Sequence, residues 1–188
     1  MRKIIEECFL DSIETKKKVM ENLSDEIESS AKTMIDALKK GNKIIVCGNG
    51  GSAADAQHFV AELVIRFEKE RISLPAIALT TDTSIITACA NDYGYDRLFE
   101  RQVEGLGNKG DVLVELSTSG NSENVIKAFE AAKRKGMKTI CLNGKDGGKI
   151  GKMSIDHNII IPSKVTARVQ EAHITIIHIW CKLIDNTF

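Results

Sequence analysis

Aromatic residues make up only 5% of the 188-residue chain, too few for a platform that stacks nucleic-acid bases. Net charge is missing as well. With 26 acidic residues against 26 basic ones, no overall field draws in nucleic acid or an acidic membrane surface. The five cysteines, Cys8, Cys47, Cys89, Cys141 and Cys181, are scattered and include no C-x-x-C pair. Three sit in or beside apolar runs, which favours free thiols in a reducing, cytoplasmic setting over a disulfide framework. No stretch reaches the roughly 18 apolar residues of a membrane-spanning helix, and Met1-Arg2-Lys3-Ile4-Ile5 opens no secretory leader. A soluble, unprocessed protein without nucleic-acid or membrane partners is expected. No linker, repeat or low-complexity tract divides the chain, so residues 1–188 are read as one domain, with N-terminal helices over 1–41 and an α/β core over 42–188.

What is present is organised around residues 43–66. Lys43-Ile44-Ile45-Val46-Cys47 is a short β-branched run of the kind buried in a parallel sheet. Gly48-Asn49-Gly50-Gly51-Ser52 follows, and its glycines allow positive φ and close approach to a ligand. A helix then begins, with Ser52 as the expected cap and Asp55 placed to complete a capping box. Such a helix start, with N–H groups facing outward, suits an anionic or oxygen-rich ligand. His58 and Glu62, spaced i and i+4, share one face of that helix. This pair could hold a metal or move a proton, and the same spacing fits a polar pair on a solvated face. Gly48-x-Gly50-x-x-Ala53 also fits a dinucleotide fingerprint, but no ribose-binding acid stands about 20 residues on, Asp82 being too distant.

Before this stretch, apolar residues recur at helical spacing over residues 2–40, and Ser24-Asp25-Glu26 predicts a break into two helices. That amphipathic arm needs a surface for its apolar stripe, and a second subunit is the natural one. After it, strands and helices alternate. Strands are expected at 76–79, 111–116, 138–142 and 158–161, with a final helix over 164–185. With helices available for both faces, the fold class is α/β, a three-layer sandwich around a five-stranded parallel sheet, preceded by a helical arm.

In such sheets ligands bind beyond the carboxyl ends of the strands, so three loops should converge: Gly48 to Ser52, Asn91 with Asp92, and Ser117-Thr118-Ser119-Gly120-Asn121-Ser122. The last carries four hydroxyls ahead of a helix start and can wrap a phosphate without a lysine. It is not a Walker A loop.

These motifs, together with Gly144-Lys145-Asp146-Gly147-Gly148 and the helix bearing Gln170, Glu171, His173 and His178, resemble the phosphoheptose isomerases of the sugar-isomerase (SIS) domain superfamily, over nearly the whole chain. The resemblance implies a flavodoxin-like SIS fold and a homotetramer with active sites between subunits. It also implies interconversion of sedoheptulose 7-phosphate and D-glycero-D-manno-heptose 7-phosphate for surface glycans such as lipopolysaccharide or capsule. By motif, Ser117, Thr118, Ser119 and Ser122 would hold the phosphate. Asn49, Gly50, Gly51, Ser52, Asn91 and Asp92, with Glu62 and Gln170, would contact the sugar. His58, Glu62, Gln170 and His178 correspond to the ligands of one zinc ion per subunit, and Glu62 and His178 to the acid/base pair.

Gln170 and His178 are separated by about 12 Å of helical rise, so a shared ion would draw them from different subunits. Ala167 stands where some members carry an acid. Arg66 is either a substrate contact or a solvated helix-end residue, His173 is expected to pack or to orient a neighbour, and His157 to end a strand at the surface. The alternative is a non-catalytic SIS protein that binds the replication initiator, from which retention of Glu62 and His178 argues away.

Overall fold

The computed structural model describes residues 1–188. Five parallel strands form one sheet: β1 (Ile44–Gly48), β2 (Ala76–Ala78), β3 (Val112–Ser117), β4 (Lys138–Gly144) and β5 (His157–Ile161). Their order is β2-β1-β3-β4-β5, so the order of strand addition reverses between β1 and β3. Loops leaving those two strands diverge and open a crevice at their carboxyl ends.

Six helices cover the sheet: α1 (Arg2–Lys39), α2 (Gly51–Val64), α3 (Thr83–Asp92), α4 (Leu98–Leu106), α5 (Glu123–Arg134) and α6 (Thr166–Asp185). Strand side chains alternate, and the two faces bury separate cores. Ile44, Val46, Val112, Val114 and Leu116 pack with α1, α2 and α6, whereas Ile45, Cys47, Leu113 and Cys141 pack with α3, α4 and α5. The three-layer α/β reading therefore holds. No helix is long and apolar enough to cross a membrane.

The N-terminal region departs from expectation. A single unbroken helix spans Arg2–Lys39, and the Ser24 hydroxyl, expected to cap a second helix, donates back to the Met20 carbonyl at 2.6 Å. Packing overrides the local break signal: Val19, Ile27, Ala31 and Met34 lie buried on one stripe, and Trp180 Nε1 donates to Ile27 O and Ser30 Oγ, each at 3.1 Å. The helix also covers most of the His157 side chain, which was expected at the surface. Its Nδ1 lies 2.9 Å from Glu26 Oε1 and its Nε2 2.7 Å from Thr33 Oγ1, tying α1 to the edge strand β5. The first half of α1 meets the rest of the chain through Arg168, which donates to Cys8 O at 3.1 Å and pairs with Asp11 at 3.6 Å, while Ile4, Ile5, Phe9, Leu10 and Ile13 are each more than half exposed.

A polar row crosses the second core. Cys47, Glu115, Cys141 and Asn158 are register partners on β1, β3, β4 and β5. Glu115 is fully buried there, and neither carboxyl oxygen has a hydrogen-bond partner. All cysteines are free, and all but Cys8 are buried.

Candidate active site

At the crevice, β1 runs into the glycine-rich turn. Gly50 adopts φ 57° and is itself the N-cap of α2, with no side-chain cap bond. Ser52, expected to cap, instead sits buried inside the first turn, and Asp55 forms no capping box. Gly48 is obligatory, because a Cβ there would lie 2.8 Å from the Ser52 carbonyl oxygen. A Cβ on Gly51 would overlap Gln170 Nε2, so α6 seats Gln170 directly against the turn.

Asn49 bridges the crevice. Its side-chain amide pairs reciprocally with that of Asn124 on α5, both bonds 3.0 Å, and Tyr95 OH donates to Asn49 Oδ1 at 3.0 Å. Asn124 and Tyr95 carry no sequence signal for this role: one looks like a polar break in an amphipathic helix, the other like a residue of a glycine turn. Asn91 and Asp92, expected in a loop, form the last turn of α3 and bond to each other at 2.7 Å, with no bond to either neighbouring loop.

Across the crevice, Ser117 ends β3 in a buried position and its Oγ accepts from Gly120 N at 3.0 Å. Ser119 Oγ accepts weakly from Asn121 N at 3.3 Å, and Ser122 is the N-cap of α5 without a side-chain cap bond. Thr118, Ser119 and Ser122 are half-buried, which leaves hydroxyls at a helix start open to a ligand. Gly120, at φ 63°, packs so tightly on the Gly147–Gly148 backbone that a Cβ would overlap Gly147 O, and Ile150 N donates to Gly120 O at 2.9 Å. The loop after β4 thus braces the serine-rich loop.

The third group lies lower on the α2/α6 face. His58 Nε2 stands 3.0 Å from His178 Nε2 and 3.3 Å from Glu62 Oε1, so α2 and α6 bring the three side chains together within one chain. The two imidazoles meet edge to face, with centroids 5.2 Å apart at 69°. Phe67 stacks on His178 at 5.5 Å and 24°. Asp55 is the charged neighbour here: burial raises its carboxyl above the ordinary value, while His58 and His178 pull it down. Gln170 does not join this group, standing two helical turns away from His178. No three His, Cys, Asp or Glu side chains form a ready-made metal site within the chain. Arg66 is half-exposed and approaches only Glu70, at 3.7 Å. His173 is fully buried, its Nε2 against Asn143 O at 3.3 Å, in agreement with a packing role.

Comparison with known proteins bears on what this arrangement does. The family model of the SIS domain matches residues 9–144. Phosphoheptose isomerases of a Nitratiruptor species and of Aliarcobacter butzleri are 58% and 54% identical to the chain. The former alignment covers 98% of both sequences, the latter 99% of this one and 98% of the relative. The chain belongs to the phosphoheptose isomerase family of SIS-domain proteins. Solved structures of family members agree: that from Neisseria gonorrhoeae superposes with TM-score 0.93 at 46% identity over 98% of both chains. That from Francisella tularensis gives 0.95 at 42% identity, over 98% of this chain and 97% of the other. Membership makes this an isomerase acting on a sugar phosphate in heptose biosynthesis.

Proposed function

We propose that the enzyme converts sedoheptulose 7-phosphate to D-glycero-D-manno-heptose 7-phosphate through an enediol, as an early step towards surface glycans. The observation that carries the reading is the convergence of Glu62, His58 and His178 within one chain. A protein that only binds a ligand or a protein partner has no use for a carboxylate and two imidazoles so placed. The replication-initiator alternative is therefore set aside.

The reaction takes a proton from C1 of the ketose and returns one to C2, while a second proton moves between the two oxygens. It requires a base at carbon and a proton carrier at oxygen. Glu62 serves as the base, and His178 moves the oxygen-bound proton. The hydroxyls of Ser117, Thr118, Ser119 and Ser122 hold the phosphate at the start of α5, where the helix dipole favours an anion. Asn49, fixed by Asn124 and Tyr95, orients sugar hydroxyls together with Gly50, Gly51, Ser52 and Gln170. Asn91 and Asp92 reach the sugar only from a site shared with another chain.

His58, Glu62 and His178 present the nitrogen and carboxylate oxygen donors that zinc prefers and would be residues to hold it, in a site that this chain alone does not complete. Zinc held there would supply Lewis-acid polarisation of the carbonyl. A glutamate bound to a metal is a weak base, so either Glu62 would leave the ion to take the proton or the ion would be mainly structural.

Two features support a homotetramer with shared sites. Glu62 lies ten residues, or about 15 Å, along α2 from Ser52, so the acid/base group sits well away from the glycine-rich turn of its own chain. The exposed apolar first half of α1, and the apolar groove between α1 and α6 lined by Val19, Met20, Ile27, Ile176 and Ile179, offer the surface for association. Gln170 and His178 then serve different sites.

The test is incubation of the purified protein with sedoheptulose 7-phosphate, followed by NMR, with Glu62→Gln and His178→Ala in parallel. Turnover lost in both variants, with phosphate-ester binding retained, supports the reading. Absence of wild-type turnover with the sugar phosphate bound would overturn it.

A further inference from the structure

Behind the acid/base group lies a buried ion pair that the proposed chemistry does not use. Arg71 and Asp185 have side chains only 1% and 2% exposed, and Arg71 Nε donates to Asp185 Oδ1 at 2.8 Å. The other carboxylate oxygen accepts from the backbone N–H groups of Glu68 at 2.8 Å and Lys69 at 3.0 Å. From the guanidinium, Nη1 donates to Leu63 O and Ile72 O at 2.8 and 2.9 Å, and Nη2 to the carbonyl of Glu62 itself at 2.7 Å.

The pair therefore joins three things: the C-terminal carbonyls of α2, the last turn of α6, and the backbone of the segment between α2 and β2. Phe67 lies one residue before the first of those anchored N–H groups. Its ring covers one face of the His178 imidazole, and His58 meets the same imidazole edge-on. Glu62 and His178 lie on different helices, and this clamp is bonded to the backbone of one helix and the end of the other. Ordinary surface ion pairs do not reach such a position. A buried arginine with four donated bonds, matched to a carboxylate with three accepted ones, is a satisfied network that holds one geometry.

We propose that Arg71 and Asp185 are positioning residues for the isomerisation: they fix the Glu62 backbone and hold Phe67 against His178, so that base and proton carrier keep one mutual orientation. The inference rests on the isomerase reading for its kinetic half and on geometry alone for its structural half.

Both halves are tested on the full chain with Phe67→Leu, Phe67→Tyr, Arg71→Lys and the apolar pair Arg71→Met/Asp185→Leu, which leaves no buried charge if Arg71→Lys does not fold. One readout is kcat and KM towards sedoheptulose 7-phosphate. The other is the shift of the His178 ring protons in histidine-labelled protein, moved upfield by the stacked Phe67 ring. Phe67→Leu should lower kcat about tenfold with KM changed less than about twofold, since misplaced groups lose rate before binding. Phe67→Tyr should restore it. The clamp variants should lower kcat and lose the upfield shift while remaining folded. Wild-type kcat in Phe67→Leu, or an unchanged His178 shift in a folded clamp variant, would overturn the proposal. A wild-type protein without turnover would sink the isomerase reading, and the His178 shift would still decide whether the clamp positions the ring.

Discussion

Glu115 makes the folded state sensitive to pH in a direction that can be worked out. Its carboxyl is fully buried on the central strand between Cys47 and Cys141, and neither oxygen has a partner. Burial raises it well above the ordinary value of 4.5, so the folded chain keeps it as the neutral acid. The unfolded chain ionises it normally. A pKa higher in the folded state means that its stabilising contribution is complete below the unfolded value and is lost as pH rises. The loss runs at about 1.4 kcal/mol per pH unit while the folded acid keeps its proton. The loss accumulates towards neutral pH, against a typical domain's total of about 5–15 kcal/mol. Glu115→Leu abolishes this linkage and removes two unsatisfied oxygens, worth roughly a further 1–3 kcal/mol. Urea unfolding of both proteins at about pH 5, 6 and 7, at one protein concentration, should show the variant more stable, with a gap that widens towards neutrality. A gap independent of pH would refute the reasoning, because it would mean that Glu115 ionises alike in both states.

Other sites give separate expectations. Phe9→Glu with Ile13→Glu places charge on the exposed stripe of α1 and should break the proposed homotetramer into smaller species by light scattering, leaving helical content intact. Ser119→Ala with Ser122→Ala removes two hydroxyls from the proposed phosphate loop and should raise KM by about tenfold or more per lost charge-assisted bond, with a smaller fall in kcat. His157→Ala frees Glu26 and Thr33 from β5 and should destabilise the fold by about 1–3 kcal/mol in chemical denaturation, without altering KM.

The alternation of β-branched runs with helical patterns was enough to place five strands, because each is short, apolar and bounded by glycine or polar turns. What neighbouring residues could not reveal was decided by contacts from far along the chain. Ser24-Asp25-Glu26 carries every local mark of a helix start, yet Trp180 and His157, from the other end of the sequence, hold α1 straight through it. Ser52 has the right identity for a cap, but the positive φ of Gly50 moves the helix start back along the turn and buries the serine. His58 and Glu62 were visible as an i, i+4 pair, whereas their meeting with His178 depends on how α2 lies against α6. Glu115 was hidden within an apolar strand pattern. Arg71, Asp185, Tyr95 and Asn124 sit in charged or polar surroundings that look solvated until the chain folds around them. The hydroxyl-rich loop after β3 suggested a phosphate site by its own residues, whereas the roles proposed for Gln170 and His178 came only from the motif resemblance.

The central step of the proposed reaction is the passage of a proton through Glu62, and conversion of sedoheptulose 7-phosphate in D2O reads that step. With a carboxylate that exchanges its proton with solvent, the aldose phosphate should carry deuterium at C2, and Glu62→Gln should form neither product nor label. Product formed by Glu62→Gln at the wild-type rate, with deuterium at C2, would contradict it, since the proton would then pass through another group.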